Sequence, residues 1–408
     1  MQDLPKRFET YSEARRNGFL KIRDLKEQAG KHVVGIFCSY TPVELITAAG
    51  AVYVSLCGSS EDGIAEAEKY LPNNYCPLIK SSYGLAVSDS CPYFYFSDMI
   101  IAETTCDGKK KMYELMGRLK PTHVMALPHN PSLESSENLW LSEMYRLKEA
   151  LESQFNVAIT EEDLKAAIHQ KNLERQAMVK LYEIGKLKPS PIRGYELNDI
   201  VSASSFIFTS EERLALIEER RQQLIADYET NYKGKASPPR ILITGCPVTG
   251  VSDKVLKEIE LQGANVVAFE NCSGPRTQSD LVDETIDPYK ALAKRYLGIS
   301  CSVMSPNPKR LETLASMIEE YQIDGVVEVV LHCCHTFAAE SFGVKEFVRD
   351  KLGIPILSIT TDYSKGDSGQ IATRIGAFIE MLPSTAFRST GRKGKAKIGL
   401  GSSGHSKS

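Results

Sequence analysis

Two apolar runs in this sequence stop at cysteine, and both constrain the fold. Met99–Ile100–Ile101–Ala102 leads through Glu103–Thr104–Thr105 to Cys106, with the turn-forming Asp107–Gly108 and the lysines Lys109–Lys110–Lys111 behind it. Late in the chain, Val326–Val327–Glu328–Val329–Val330–Leu331 leads to His332–Cys333–Cys334–His335. Short, near-continuous apolar runs followed by helical segments mark strands buried on both faces of a parallel sheet. Ligands of such sheets collect at the carboxyl ends of the strands. Both cysteines are therefore expected where chemistry gathers.

Further strands are expected at Val33–Phe37, Val52–Leu56 and His123–Leu127, and again at Arg240–Ile243, Val266–Phe269 and Pro355–Ile359. Helices are expected at Pro42–Ala49 and Asp253–Leu261. This alternation predicts an α/β fold of two parallel-sheet lobes with helices on both faces, and 408 residues suit two domains. Between the lobes, Leu139–Phe155, Glu161–Ile184 and Ser210–Tyr232 carry apolar residues at helical spacing among many charges, which predicts long bridging helices. Lys233–Gly234–Lys235–Ala236–Ser237–Pro238–Pro239 reads as a linker. The expected division is an N-terminal helical segment over 1–30, a first lobe over 31–138, a helical bridge over 139–235 and a second lobe over 236–387. A Gly-, Lys- and Ser-rich flexible tail over 388–408, with the character of an expression scar, is given no functional weight.

Formal net charge is −3, which gives no electrostatic reason to expect nucleic acid as partner. No apolar run approaches the roughly 20 residues of a membrane span, and the start Met1–Gln2–Asp3–Leu4–Pro5–Lys6–Arg7 has no signal-peptide core. A cytoplasmic location is expected. There the ten cysteines would stay reduced, so metal or redox chemistry is favoured over disulfides.

The cysteines repeat. Cys38 and Cys246 each end the first strand of a lobe, Cys57 and Cys272 follow the second, and Cys106 and Cys334 end the third. Cys76 precedes Cys106 by 30 residues and Cys301 precedes Cys334 by 33, leaving only Cys91 and Cys333 without a counterpart. Two such lobes face to face would make a shared thiolate cleft. A buried free cysteine is often just a small hydrophobe. Here, however, Cys76–Pro77, Cys91–Pro92, Cys106–Asp107–Gly108, Cys246–Pro247 and Cys272–Ser273–Gly274 are turn or cap contexts. Structural zinc usually needs close Cys-x-x-Cys pairs, which are absent. An iron–sulfur cluster fits better, because thiolates are its usual ligands and helix-start amides would stabilise its charge. Gly245–Cys246–Pro247–Val248–Thr249–Gly250 follows a strand but lacks a Gly-Lys-Ser/Thr signature, which argues against ATP or NAD. For acid–base work His335 and Glu340 are the best-placed groups; Glu44 and Lys109 lie near the cleft but are expected to be structural.

Phe37–Cys38–Ser39–Tyr40–Thr41–Pro42–Val43–Glu44, Asn74–Tyr75–Cys76–Pro77–Leu78–Ile79–Lys80, Thr104–Thr105–Cys106–Asp107–Gly108–Lys109 and His332–Glu340 together resemble the 2-hydroxyacyl-CoA dehydratase / benzoyl-CoA reductase superfamily over roughly residues 30–385. The resemblance implies two flavodoxin-like (Rossmann-like) lobes. It also implies a [4Fe–4S] cluster held between them by the residues that stand here as Cys76, Cys106 and Cys334. The surplus cysteines look like the double-cubane cluster protein branch, which implies an [8Fe–9S] cluster on six cysteines. Of the ten, Cys38, Cys76, Cys106, Cys272, Cys301 and Cys334 are the expected set, with Cys246 and Cys91 in reserve. Cys333 is the weakest of its local group and Cys57 has no motif around it.

The resemblance further implies a homodimeric reductase of small molecules, supplied with low-potential electrons by a separate ATP-hydrolysing, [4Fe–4S]-bearing activator. Lys109–Lys110–Lys111 is the expected docking face for that activator. Two alternatives stand beside this reading: a subunit of an (R)-2-hydroxyacyl-CoA dehydratase with a single cubane, and a non-catalytic iron–sulfur electron carrier.

Overall fold

The computed structural model describes residues 13–272 and 274–382. The expected tail over 388–408 lies outside the described residues. Eight strands form two separate sheets: β1 (Val33–Ile36), β2 (Val52–Ser55), β3 (Met99–Glu103) and β4 (Thr122–Met125), then β5 (Arg240–Gly245), β6 (Asn265–Glu270), β7 (Gly325–Leu331) and β8 (Ile356–Thr361). The first sheet runs β2-β1-β3-β4 and the second β6-β5-β7-β8, and every pairing is parallel. The lobes thus share the flavodoxin-like order. β3, β5, β6 and β7 are buried at every residue, which is why their sequences read as continuous apolar runs rather than alternating ones.

In such an order the chain reverses direction between its first and third strands. That reversal opens a crevice beyond their carboxyl ends. Cys38 and Cys106 follow the two strands flanking the crevice in the first lobe; Cys246 and Cys334 do so in the second. Gly245 turns the chain out of β5 at φ +108, a conformation L residues rarely adopt, and a Cβ there would stand 2.2 Å from the Val329 carbonyl oxygen.

Helices Glu134–Phe155, Glu161–Tyr182 and Ser210–Asp227 run between the lobes, the last continuing as a wider turn over Tyr228–Tyr232. The first lies against helix Pro288–Leu297 of the second lobe, with Tyr145 and Tyr289 stacked at 4.5 Å between ring centres. The second carries Arg175, which donates to Glu44 at 2.6 Å and to the Tyr296 hydroxyl at 3.1 Å. Tyr296 in turn donates to the other Glu44 oxygen at 2.7 Å. Burial opposes the Glu44 charge, but Arg175, then Arg295 and Tyr296, outweigh it and hold the carboxyl below its usual range. Glu44 is therefore a tie between both lobes and the bridge. Tyr40 adds a direct bond across the lobes, donating to the Ile299 carbonyl at 2.6 Å.

Candidate functional site: two thiol groups between the lobes

The carboxyl ends of the two sheets bring eight cysteines together in two groups. In the first, the Cys334 thiol faces both Cys246 and Cys76. These contacts, Cys246 first, hold the Cys334 thiol well below its usual range. Cys76 is pushed up, by Cys334 first and then by burial, and Cys246 by burial first and then by Cys334. Cys106 faces Cys334 from the first lobe, its own thiol raised by burial. The second group comprises Cys38, Cys57, Cys272 and Cys301. Burial raises Cys38, with Cys272 and Cys301 adding to it. Cys272 is likewise raised by burial, with Cys301 and Cys57 adding and Arg276 opposing. The groups adjoin: Ser302 donates to Thr336 at 3.1 Å, and the Thr336 hydroxyl lies 3.8 Å from the Cys334 sulfur.

Three helix starts aim at the first group. Cys76, Cys106 and Cys334 are the residues immediately before helices Pro77–Val87, Asp107–Met116 and His335–Lys345. None closes a regular capping bond with its sulfur. The amides of Leu78 and Ile79, of Lys109 and Gly108, and of Phe337 nevertheless favour the respective thiolates. Free helix amides and the dipoles behind them stabilise negative charge at these sulfurs. Cys91 stands before helix Pro92–Phe96 in the same way, but its sulfur accepts from the Phe94 amide at 3.4 Å and it belongs to neither group.

Polar side chains brace the second group from below. Glu270, at the end of β6, accepts from Arg276 at 2.7 Å, Arg310 at 3.2 Å and Thr244 at 2.5 Å. Burial opposes its charge, but the two arginines outweigh it and hold the carboxyl below its usual range. Arg276 reaches on to the Cys272 sulfur at 3.7 Å. Arg310 also binds Glu340, which accepts from Asn307 at 2.7 Å; Asn307 in turn holds the Cys301 carbonyl at 2.9 Å. Glu340 is thus committed to fixing the Cys301 loop, while His335 is exposed at the first turn after Cys334. On the first lobe Glu103 ends β3, bonded to Thr41 through one oxygen while the other is buried without a partner. Burial pushes its carboxyl up to about 7, against the pull of Thr41 and Lys109.

The expected six cysteines divide evenly, Cys76, Cys106 and Cys334 in one group and Cys38, Cys272 and Cys301 in the other. Of the reserves, Cys246 lies in the first group and Cys91 outside both. Cys333 is exposed with φ 59. Cys57, which has no motif around it, donates to the Phe37 carbonyl at 3.0 Å within the second group; its pairing with Cys272 in the repeat is the signal that could have found it. The three lysines do not make one outward face. Lys110 pairs with Asp107 at 2.6 Å and Lys111 with Glu114 at 2.8 Å, while Lys109 turns toward the thiols. Lys109, Met112, Tyr113 and Met116 occupy one helical face, a spacing of i, i+3, i+4, i+7 legible in the sequence.

Among the described residues, no three His, Cys, Asp or Glu side chains converge on a point that would hold a single metal ion. Thiols arriving from different loops are the donor type that an iron–sulfur cluster would take.

A family model described as 2-hydroxyglutaryl-CoA dehydratase, D-component, matches residues 38–382. The chain belongs to this family. "Putative dehydratase subunit YjiM" of Escherichia coli (strain K12) is 48% identical over 93% of this chain and 99% of its own length. The (R)-phenyllactyl-CoA dehydratase beta subunit of Clostridium sporogenes is 25% identical over 94% of this chain and all of its own length, at 100%. A benzoyl-CoA reductase subunit from Thauera aromatica is 22% identical over 89% of this chain and 94% of its own. Dehydratase-family relatives of this kind are enzyme subunits. Among the described residues no helix is long and apolar enough to cross a membrane.

Proposed function

We propose that this chain is an iron–sulfur reductase whose two thiol groups hold an [8Fe–9S] double-cubane cluster between the lobes. Cys76, Cys106 and Cys334 would serve one half, and Cys38, Cys272 and Cys301 the other, with Cys246 and Cys57 beside them. When bound, such a group supplies electrons of low potential to a small molecule. The observation that carries the reading is that the cysteines form two adjoining groups rather than one. The chain's own part is to present thiolates on helix starts, to fix the second group on the Glu270–Arg276–Arg310 base, and to keep water from the buried sulfurs. His335, exposed at the first turn after Cys334, would hand a proton to a substrate bound there. The proposal includes a homodimer in the cytoplasm and a separate ATP-hydrolysing [4Fe–4S] protein as electron donor.

The names of the relatives favour a second reading, a 2-hydroxyacyl-CoA dehydratase subunit with one [4Fe–4S] cluster on Cys76, Cys106 and Cys334. Iron and acid-labile sulfide counted on anaerobically purified protein separate the two. About eight irons per chain is expected for the double cubane and about four for the dehydratase subunit. An iron-free chain that cannot be reconstituted overturns both.

A further inference from the structure

Lys109 is an inward-facing cation with no carboxylate in ion-pair contact among the described residues. Among the same residues its one hydrogen bond goes to the Phe37 carbonyl at 3.3 Å. An ammonium has three donors, so two are left over. Desolvation opposes its charge. Tyr113, Cys38, Cys57 and Cys106 are the groups that face its charge. Those cysteines come from both thiol groups: Cys106 from the first, Cys38 and Cys57 from the second. Two further polar atoms in the same corner, the Tyr113 hydroxyl and one Glu103 oxygen, are buried with no hydrogen-bond partner. Glu103 feels the lysine's charge but forms no ion pair with it, its one hydrogen bond coming from Thr41. The adjacent Lys110 and Lys111 each have a carboxylate within 2.8 Å. The contrast is therefore local to the one lysine that points inward.

A desolvated charge is tolerated when it is paired and hydrogen-bonded. We propose that Lys109, with the Tyr113 hydroxyl, forms a binding position for an anion lying between the two thiol groups, and that this anion belongs to the inorganic core they share. Lys109 is then a positioning residue of the cluster. Its charge makes each added electron easier to accept, because reduction increases the negative charge beside a fixed cation in a site where screening is weak. Arg276 acts similarly from the far side of the second group, but it is already paired with Glu270; Lys109 is the cation left for the core.

The inference rests on the two-group reading above, and one experiment tests the two separately. Wild-type, Lys109→Gln and Lys109→Arg chains are reconstituted anaerobically at full length. Iron and sulfide are counted, and the midpoint potential is read by a redox titration followed by electron paramagnetic resonance at fixed pH. Wild-type protein that takes up no second complement of iron overturns the two-group reading itself. With wild type fully loaded, Lys109→Gln is expected to shift the midpoint downward while Lys109→Arg stays near wild type. Tyr113→Phe is expected to give a smaller downward shift. A Lys109→Gln midpoint equal to wild type at full iron content overturns the proposal. Should Lys109→Gln fail to load, Lys109→Arg decides: loading with a wild-type midpoint upholds the requirement for charge, and failure to load overturns it.

Discussion

The two thiol groups are built differently. The first satisfies itself: Cys334 is stabilised by neighbouring thiols and a helix amide, and Cys76 and Cys106 sit on two more helix starts. Its positive potential comes from backbone dipoles. The second has side-chain charge around it, Lys109 on one side and Arg276 on the other, over a buried base of Glu270 and Arg310. Backbone dipoles are fixed by the fold and survive most substitutions. A side-chain network fails when one member is removed. Apart from the Lys109 that both groups face, the first group should therefore depend on its cysteines, and the second on its cysteines and on several residues that never touch them.

The largest effect expected is from the thiols themselves. Cys334→Ser should empty the first group and Cys272→Ser the second, each lowering bound iron from about eight toward about four per chain. The two variants should keep complementary spectroscopic signatures. If either variant instead loses all its iron, the groups assemble as one unit and the division drawn between them is wrong.

Next comes the base of the second group. Arg310 is fully buried, binds Glu270, Thr244 and Glu340, and lies against the Phe337 ring at 5.0 Å. Arg310→Met leaves buried carboxylates short of a partner, which typically costs about 3–5 kcal/mol. A lower urea midpoint at unchanged slope should report it. Only the second group's spectrum should change. A loss of stability with both spectra intact would make the network a general brace with no bearing on the site.

How much of this is legible in the sequence follows from the same contrast. All eight strands are legible, and β3, β5, β6 and β7 most plainly, because there burial is written into consecutive residues. Their ends run on into charge: Glu103 and Glu270 are the last residues of β3 and β6, and neither reads as strand on its own. Each is admitted by partners lying far away in sequence. Helix Pro77–Val87 escapes a periodicity reading for the opposite reason. Eight of its eleven residues are buried, so it shows no polar face, and Gly84 lets it close on Gly63, where a Cβ would stand 1.6 Å from a carbonyl oxygen. The repeat pairs the cysteines lobe by lobe, but the grouping depends on how the lobes meet. Cys246, the counterpart of Cys38, sits with Cys76 and Cys334 in the other group. Spacing carries no information about that approach, whereas the inward face of Lys109 is readable from helical phase.

Cys91 gives the smallest and most discriminating test. It shares the helix-start position of Cys76, Cys106 and Cys334, and by sequence it is as good a reserve ligand as Cys246. The difference is what its sulfur does. Accepting from Phe94 at 3.4 Å, it completes a cap within its own helix and has no thiol opposite. Removing a cap of this kind costs about 0.5–1 kcal/mol, at the low end for a weak sulfur acceptor. Cys91→Ala should thus lower the urea midpoint slightly and leave iron, sulfide and midpoint potential at wild-type values. A measurable loss of iron would mean that a helix-start cysteine can serve the cluster from outside both groups. It would also mean that an open, uncapped sulfur is not what distinguishes a ligand in this fold.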